Sequence, residues 1–251
     1  MKACVRVRNL VIGEGLPKII VPIAAETKEE LLLQAASLKS EPVDAVEWRA
    51  DQFGTLDDHA IFGALKALRE AIGDLPLLFT IRTKYEGGAF DGAQEEYLRL
   101  NIAAAESGFA DMIDVEFGAG GMIMQHIGAL QALGVRVVAS SHDFNQTLPK
   151  EELIARLCAM QRSGADLVKI AVMPKDEEDV LTLLCAAEAF TRGYKDRPLI
   201  AISMGALGSV SRVCGNLSGS DMTFGAVGVV SAPGQLPAKT LREIQNSLNM
   251  R

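Results

Sequence analysis

The amino-acid sequence predicts an α/β protein built as a single (β/α)8 barrel, with an N-terminal β-hairpin closing the bottom of the barrel. Three observations lead there. Short apolar, β-branched segments alternate with helical patterns from Lys18 onward, the mark of parallel strands joined by helical crossovers. These strand-helix units number eight, and their spacing of roughly thirty residues favours closure over an open doubly wound sheet. The length of 251 residues suits one such barrel, and no low-complexity tract or linker divides it, so residues 1–251 read as one catalytic domain.

The elements follow in order. Residues 4–7 and 10–13 alternate around Arg8-Asn9 and form the hairpin. Strands are expected at 18–23, 44–49, 76–82, 111–116, 135–141, 166–172, 198–203 and 222–229. The segment 28–39 carries Leu31, Leu32, Ala35 and Leu38 at helical spacing behind Thr27, a suitable N-cap. Segments 94–107, 150–163 and 176–192 repeat that pattern, whereas 208–216 is weakly periodic and reads as short or irregular.

Composition bounds the function. Hydrophobic residues make up 49% and charged residues 23% of the chain, enough to bury a large interior. A net charge of −7 argues against nucleic acid or an anionic membrane as partner, since both would be repelled over most of the surface. A small anionic substrate stays compatible if arginines gather locally. No apolar run is long enough to span a bilayer, and the first ten residues, with Lys2, Arg6, Arg8 and Asn9, lack the apolar core of a leader. The expectation is a cytoplasmic protein. Cys4, Cys158, Cys185 and Cys214 show no paired spacing and read as reduced thiols, with neither a disulfide framework nor a metal site.

In a barrel the chemistry belongs at the carboxyl ends of the strands. The two-residue side-chain period puts Glu47 and Arg49 on one face of the second strand and Val46 and Trp48 on the other. It likewise pairs Thr80 with Arg82, Asp114 with Glu116, and Lys169 with Ala171, while His142 ends the fifth strand. Lys169 stands out because Leu167, Val168, Ile170, Ala171 and Val172 around it make a strand that looks wholly buried. Burial disfavours an ammonium, and a neutral amine is the nucleophile that forms an imine with a carbonyl. The alternative is an internal ion pair of Lys169 with Asp114 or Glu116. His142 suits general acid and base work near neutral pH, or else caps the turn 140–143. Any carboxylate that tunes it must come from another strand, and Glu86 in the Gly-rich loop 85–88 is a candidate. His59 and His126 fall in expected helices and read as surface or satisfied residues.

Taken together, segments 46–51, 79–83 with 86–88, 141–144, 168–171, 203–205, 211–212, 223–225 and 231–235 resemble the type I 3-dehydroquinate dehydratases in order and spacing. The resemblance runs over nearly the whole chain. It implies an imine between Lys169 and the C3 carbonyl of 3-dehydroquinate, a small anionic cyclic substrate. His142 would take the C2 proton and then pass a proton to the departing C1 hydroxyl, with Glu86 holding it. Arg212, with Ser231 and Gln235, would bind the carboxylate, and Glu47, Trp48, Arg49 and Arg82 would complete the substrate-binding set. The resemblance calls for no metal or organic cofactor and implies a homodimer. Two departures stand out: Ser141 where an aromatic residue is more usual, and Phe117-Gly118 where a leucine is more usual.

Two rival readings are a class I aldolase-like barrel, which needs a phosphate site at the Gly-rich turns 204–208 and 225–228, and a catalytically inactive metabolite-binding barrel, which needs a lost catalytic residue. Residues 231–237, with Pro233, Gly234 and Pro237, fit by composition either a hinged lid after the eighth strand, with neither proline extending a sheet, or a fixed turn leading into the last helix, and the resemblance implies the lid.

Overall fold

A computed structural model describes residues 4–118, 121–228 and 232–249. It opens with an antiparallel hairpin, β1 (Val5–Val7) and β2 (Leu10–Ile12). The parallel barrel strands follow as β3 (Lys18–Ile23), β4 (Ala45–Arg49), β5 (Leu77–Thr80), β6 (Met112–Glu116), β7 (Arg136–Asp143), β8 (Leu167–Val172), β9 (Leu199–Ser203) and β10 (Met222–Ala226). The helices are α1 (Lys28–Ser37), α2 (Asp58–Ile72), α3 (Gln94–Glu106), α4 (Gly121–Met124), α5 (Ile127–Ala132), α6 (Lys150–Arg162), α7 (Glu177–Gly193), α8 (Gly215–Ser218) and α9 (Ala238–Leu248). The expected helices are present, and Thr27 does cap α1 by accepting from the Glu30 N–H. His59 lies in α2, but His126 precedes α5 in a turn. The weakly periodic stretch becomes a 3-10 turn, Leu207–Arg212, and the single turn α8.

Each strand pairs in parallel with the next from β3 to β9, and β10 returns beside β3, so the sheet curls round on itself. The seam between β9 and β10 is stitched differently from the rest. Asp221 N–H donates to Leu199 O at 2.7 Å, and side chains replace ladder carbonyls: Asp221 Oδ2 accepts from Leu199 N–H and Ser220 Oγ from Ala201 N–H. Lys195 Nζ stands 2.5 Å from Asp221 Oδ2 and neutralises the buried carboxylate.

The pleat sorts the side chains into two shells. Val46, Trp48, Phe79, Ile113, Val115, Val137 and Ile170 point outward into the layer between sheet and helices. Inside, Ile20, Ala45, Leu78, Met112, Val138, Leu167, Ile200 and Met222 form an apolar layer against Val7 and Ile12, so the hairpin seals the bottom as expected. The next inward position on each strand, two residues on, bears Pro22, Glu47, Thr80, Asp114, Ser140, Lys169, Ile202 and Phe224. The apolar floor thus sets the height at which the polar groups emerge.

Beyond β10, a short strand β11 (Leu236–Pro237) pairs in parallel with Gly225 and Ala226. The expectation that neither proline extends a sheet is therefore corrected at Pro237. It sits on an outer strand at the edge of α9, where its missing N–H leaves no ladder bond broken.

Candidate active site

A cavity of about 250 Å3 opens at the carboxyl ends of the strands. Its lining includes Glu47, Arg49, Arg82, Glu86, His142, Lys169, Arg212 and Gln235. The fold thus gathers onto one cavity residues that lie up to 213 positions apart, Pro22 and Gln235 being the outermost. Ser231 lies outside the described residues.

Lys169 stands on β8 with its Nζ 3.6 Å from Glu47 Oε1 and 3.6 Å from Asp114 Oδ2, over the ring of Phe224 at 4.3 Å from the centroid. The expectations of a cavity-facing nucleophile and of a carboxylate pair thus meet in one arrangement. The two acids share the cation at ion-pair rather than hydrogen-bond distance, and Nζ still faces the cavity.

His142 is the last residue but one of β7, with its Nδ1 2.7 Å from Glu86 Oε2, while its own backbone N–H donates to the same oxygen at 3.1 Å. Glu86 ends a 3-10 turn, Lys84–Glu86, which Gly87 closes at a left-handed φ of 80°. Burial pushes the Glu86 carboxyl up to about 8; Arg82 opposes this, and Glu116 and Asp114 add to it. Burial, then the cations Arg82, Lys169 and Arg49, hold the imidazole of His142 well below its usual range. A neutral ring with its Nδ1 occupied by Glu86 presents Nε2 for proton transfer.

Arg82 anchors the acids beneath the cavity. Its Nη1 donates to Glu116 Oε1 at 2.8 Å, Ser140 Oγ at 3.1 Å and Glu86 Oε2 at 3.3 Å, and its Nη2 lies 2.8 Å from Asp114 Oδ1. Burial works against its charge, yet Asp114, Glu116 and Glu86 outweigh it and keep the guanidinium firmly protonated. Expected in the substrate-binding set, Arg82 lines the cavity but commits its Nη1 to protein acceptors and its Nη2 to an ion pair with Asp114.

Arg212 is the opposite case. It is 2% exposed, donates among the described residues to the carbonyls of Phe224 at 3.2 Å and Pro233 at 3.0 Å, and has an Nε without a hydrogen-bond partner among them. Among the described residues no carboxylate offsets its burial, which lowers its pKa to about 10. A guanidinium held this way is a ready receptor for an anion entering the cavity.

Trp48 corrects an expectation. It is fully buried against Phe53 and Phe79 at ring distances of 5.5 and 5.6 Å on the outer face of β4, and it does not line the cavity. The strand's two-residue period turns it away from Glu47. Among groups that the sequence reading left out, Asp51 chelates Arg49 through Nε and Nη2 at 2.8 and 2.9 Å and accepts from the N–H groups of Arg82 and Ala89, which pins loop 83–90 over the site. Phe224, Ile202, Met204 and Phe144 supply the apolar wall. Of these, Phe224 and Ile202 were readable from strand parity; Asp51, Met204 and Phe144, on connecting segments, were not. The two departures find places as well. Ser141 faces outward and its Oγ accepts from Arg156 Nη1 at 3.0 Å. Gly118 lies so near Glu86 that a Cβ there would stand 3.1 Å from Oε1.

With this geometry in view, residues 19–251 match the family model described as type I 3-dehydroquinase. The chain belongs to the type I 3-dehydroquinase family. A 3-dehydroquinate dehydratase of Clostridioides difficile is 44% identical over 251 residues, which span 99% of this chain and 98% of that protein. One from Klebsiella pneumoniae is 45% identical, spanning 99% and 100%. Among solved structures, the family's type I 3-dehydroquinate dehydratase from Clostridium difficile, with covalent modified comenic acid, superposes with a TM-score of 0.96 at 44% identity, covering 99% of this chain and 98% of that one. The 3-dehydroquinate dehydratase from Geobacillus kaustophilus also gives 0.96, at 36% identity and full coverage of both chains.

Proposed function

We propose that this chain dehydrates 3-dehydroquinate to 3-dehydroshikimate, a step of the shikimate pathway, through an imine on Lys169. The observation that carries the reading is the convergence on one cavity of a lysine nucleophile, a histidine held by a carboxyl group, and a buried arginine with no counter-ion among the described residues. In this reading the Lys169 amine attacks the C3 carbonyl, water leaves, and the resulting iminium withdraws electrons from the C2–H bond. His142 Nε2 accepts that proton and returns one to the C1 hydroxyl, which departs as water, and a water then hydrolyses the product iminium, restoring the ketone and the Lys169 amine. Glu86 fixes the tautomer of His142. Arg212, with Gln235 and Ser231, takes the carboxylate; Glu47 and Arg49 take ring hydroxyls; Arg82 holds the acids in place.

The cavity walls support this over an aldolase acting on a sugar phosphate. Gly205 N–H, the natural donor of a phosphate turn at 204–208, already donates to Pro233 O at 3.2 Å. Gly234 packs so tightly there that a Cβ would meet Gly205 O at 2.0 Å. In the same reading residues 1–251 work as one catalytic domain, cytoplasmic and homodimeric; a sedimentation mass of one chain would contradict the dimer. No helix of the described residues is long and apolar enough to cross a membrane. The activity is tested by incubating the protein with 3-dehydroquinate and following the conjugated enone of 3-dehydroshikimate in the ultraviolet. Folded protein that generates no absorbance refutes it.

A further inference from the structure

Asp114 is fully buried on β6, beneath the cavity rather than on its wall. Its Oδ1 is doubly engaged, by the Ser140 hydroxyl at 2.6 Å and by Arg82 Nη2 at 2.8 Å. Its Oδ2 has no hydrogen-bond partner and points at Lys169 Nζ from 3.6 Å. An ionised, buried acceptor left unmatched is costly unless another state of the protein satisfies it. Although burial opposes its ionisation, Arg82 and Lys169 hold its pKa below the usual carboxylate range, so the charge persists.

We infer that Asp114 is a positioning residue for the covalent intermediate: its Oδ2 accepts the single N–H of the Lys169 iminium, fixing the plane of the C=N bond and keeping the nitrogen protonated. This rests on the imine chemistry proposed above. The step conserves charge: ammonium and ketone join through a new C–N bond, the carbonyl oxygen leaves as water, and one positive charge stays on nitrogen. An ammonium offers three N–H groups and tolerates loose placement between two acids. An iminium offers one, in the plane of its double bond, so whichever acceptor takes it sets the direction in which the C2–H bond must lie for His142 to reach it.

Two carboxylates stand equally near Nζ, and the structure separates their roles. Glu47 Oε1 already accepts from the Thr80 hydroxyl at 3.0 Å, and Glu47 lines the cavity where ligand hydroxyls arrive. Asp114 is out of reach of ligand and has a spare oxygen aimed at one atom. Of the other charged and titratable groups around the cavity, Arg49, Arg82, Glu86, His142 and Arg212, none forms an ion pair with Nζ among the described residues, which leaves Glu47 and Asp114 as its acids.

The test is the pH dependence of borohydride trapping with 3-dehydroquinate, since hydride reduces the protonated imine. Asp114→Asn keeps the shape and the Ser140 contact but removes the charge. Because an opposite charge at this range moves a pKa by roughly one to three units, the upper limb of the trapping profile should fall to lower pH by about that much, with the trapping rate above that limb down about tenfold or more. Glu47→Gln should move the limb less. If Asp114 only braces Arg82, the variant loses stability or kcat while the limb stays in place, and that outcome overturns the inference, as does an equal or larger shift in Glu47→Gln. Should Asp114→Asn fail to fold, the nitrogen NMR signal of ε-15N-labelled Lys169 in the adduct of His142→Ala decides. It should remain that of a protonated imine through about pH 9, the ordinary range of a paired base being extended by the carboxylate; deprotonation below neutrality overturns the inference. Failure of the wild type to trap at all is distinguishable, because it removes the imine chemistry itself.

Discussion

Replacing Arg212 by methionine should move stability and activity in opposite directions. Burial without a counter-ion lowers the guanidinium from 12.5 to about 10, which corresponds to about 3 kcal/mol against the charged form at roughly 1.4 kcal/mol per unit. The sign follows from the states. Below the folded value both folded and unfolded chains carry the charge, so the cost is fully present at neutral pH and vanishes only as pH rises through the unfolded value. Methionine of similar length removes that cost but leaves the carbonyls of Phe224 and Pro233 without their donor, at about 1 kcal/mol each. The free variant should therefore be as stable as the wild type or about 1 kcal/mol more so, read from denaturant unfolding. Catalysis should suffer, because a buried charge pair to the substrate carboxylate is lost: roughly 2–4 kcal/mol, or a fall of about 30- to 1000-fold in kcat/KM, mostly through KM. A variant destabilised by more than about 2 kcal/mol with kcat/KM within about threefold of wild type would make Arg212 a structural strut and refute the reasoning.

Four further outcomes follow from the same geometry. His142→Ala should still form the imine but lose about 100- to 10,000-fold in turnover, so adduct accumulates in the mass spectrum; loss of adduct as well would make His142 structural. The acid limb of kcat/KM should track the Glu86 carboxyl at about 8 rather than the depressed imidazole, and Glu86→Gln should abolish that limb with a smaller loss than His142→Ala. Because the folded state of Glu86 holds a proton that the unfolded chain releases above its ordinary value, stability falls from about pH 4.5 to about pH 8 in the wild type, and Glu86→Gln should flatten that decline in thermal melts. Residues 232–237 should exchange amides more slowly with saturating product, and Gln235→Ala should raise KM and lessen that protection; equal exchange with and without ligand leaves a fixed turn, held by Pro233 on Gly205.

Period-two reasoning carried most of the site. Glu47, Thr80, Asp114 and Lys169 each stand two residues beyond an apolar floor residue, so one frame of alternation per strand put them inside and put Trp48 outside. The family likeness drew Trp48 into the substrate set, and the parity argument was the sounder guide. What sequence did not disclose are contacts between strands. Arg82 is committed to Ser140, 58 positions away, and to Glu116, 34 away, and nothing local distinguishes it from Arg212, which has no acidic partner among the described residues. The seam at Ser220 and Asp221 was hidden for the same reason: it substitutes side chains for a ladder whose pattern only closure of the barrel reveals. Pro237 misled because its composition forbids a central strand but not a terminal pairing.

The central claim is that Lys169 forms the covalent bond to substrate. Borohydride added during turnover of 3-dehydroquinate should inactivate the protein and leave a mass increase of one reduced adduct, which peptide mapping places on Lys169 and which Lys169→Ala abolishes. Label on Lys175 or Lys195, or full turnover by Lys169→Ala without any trapped adduct, would contradict the account.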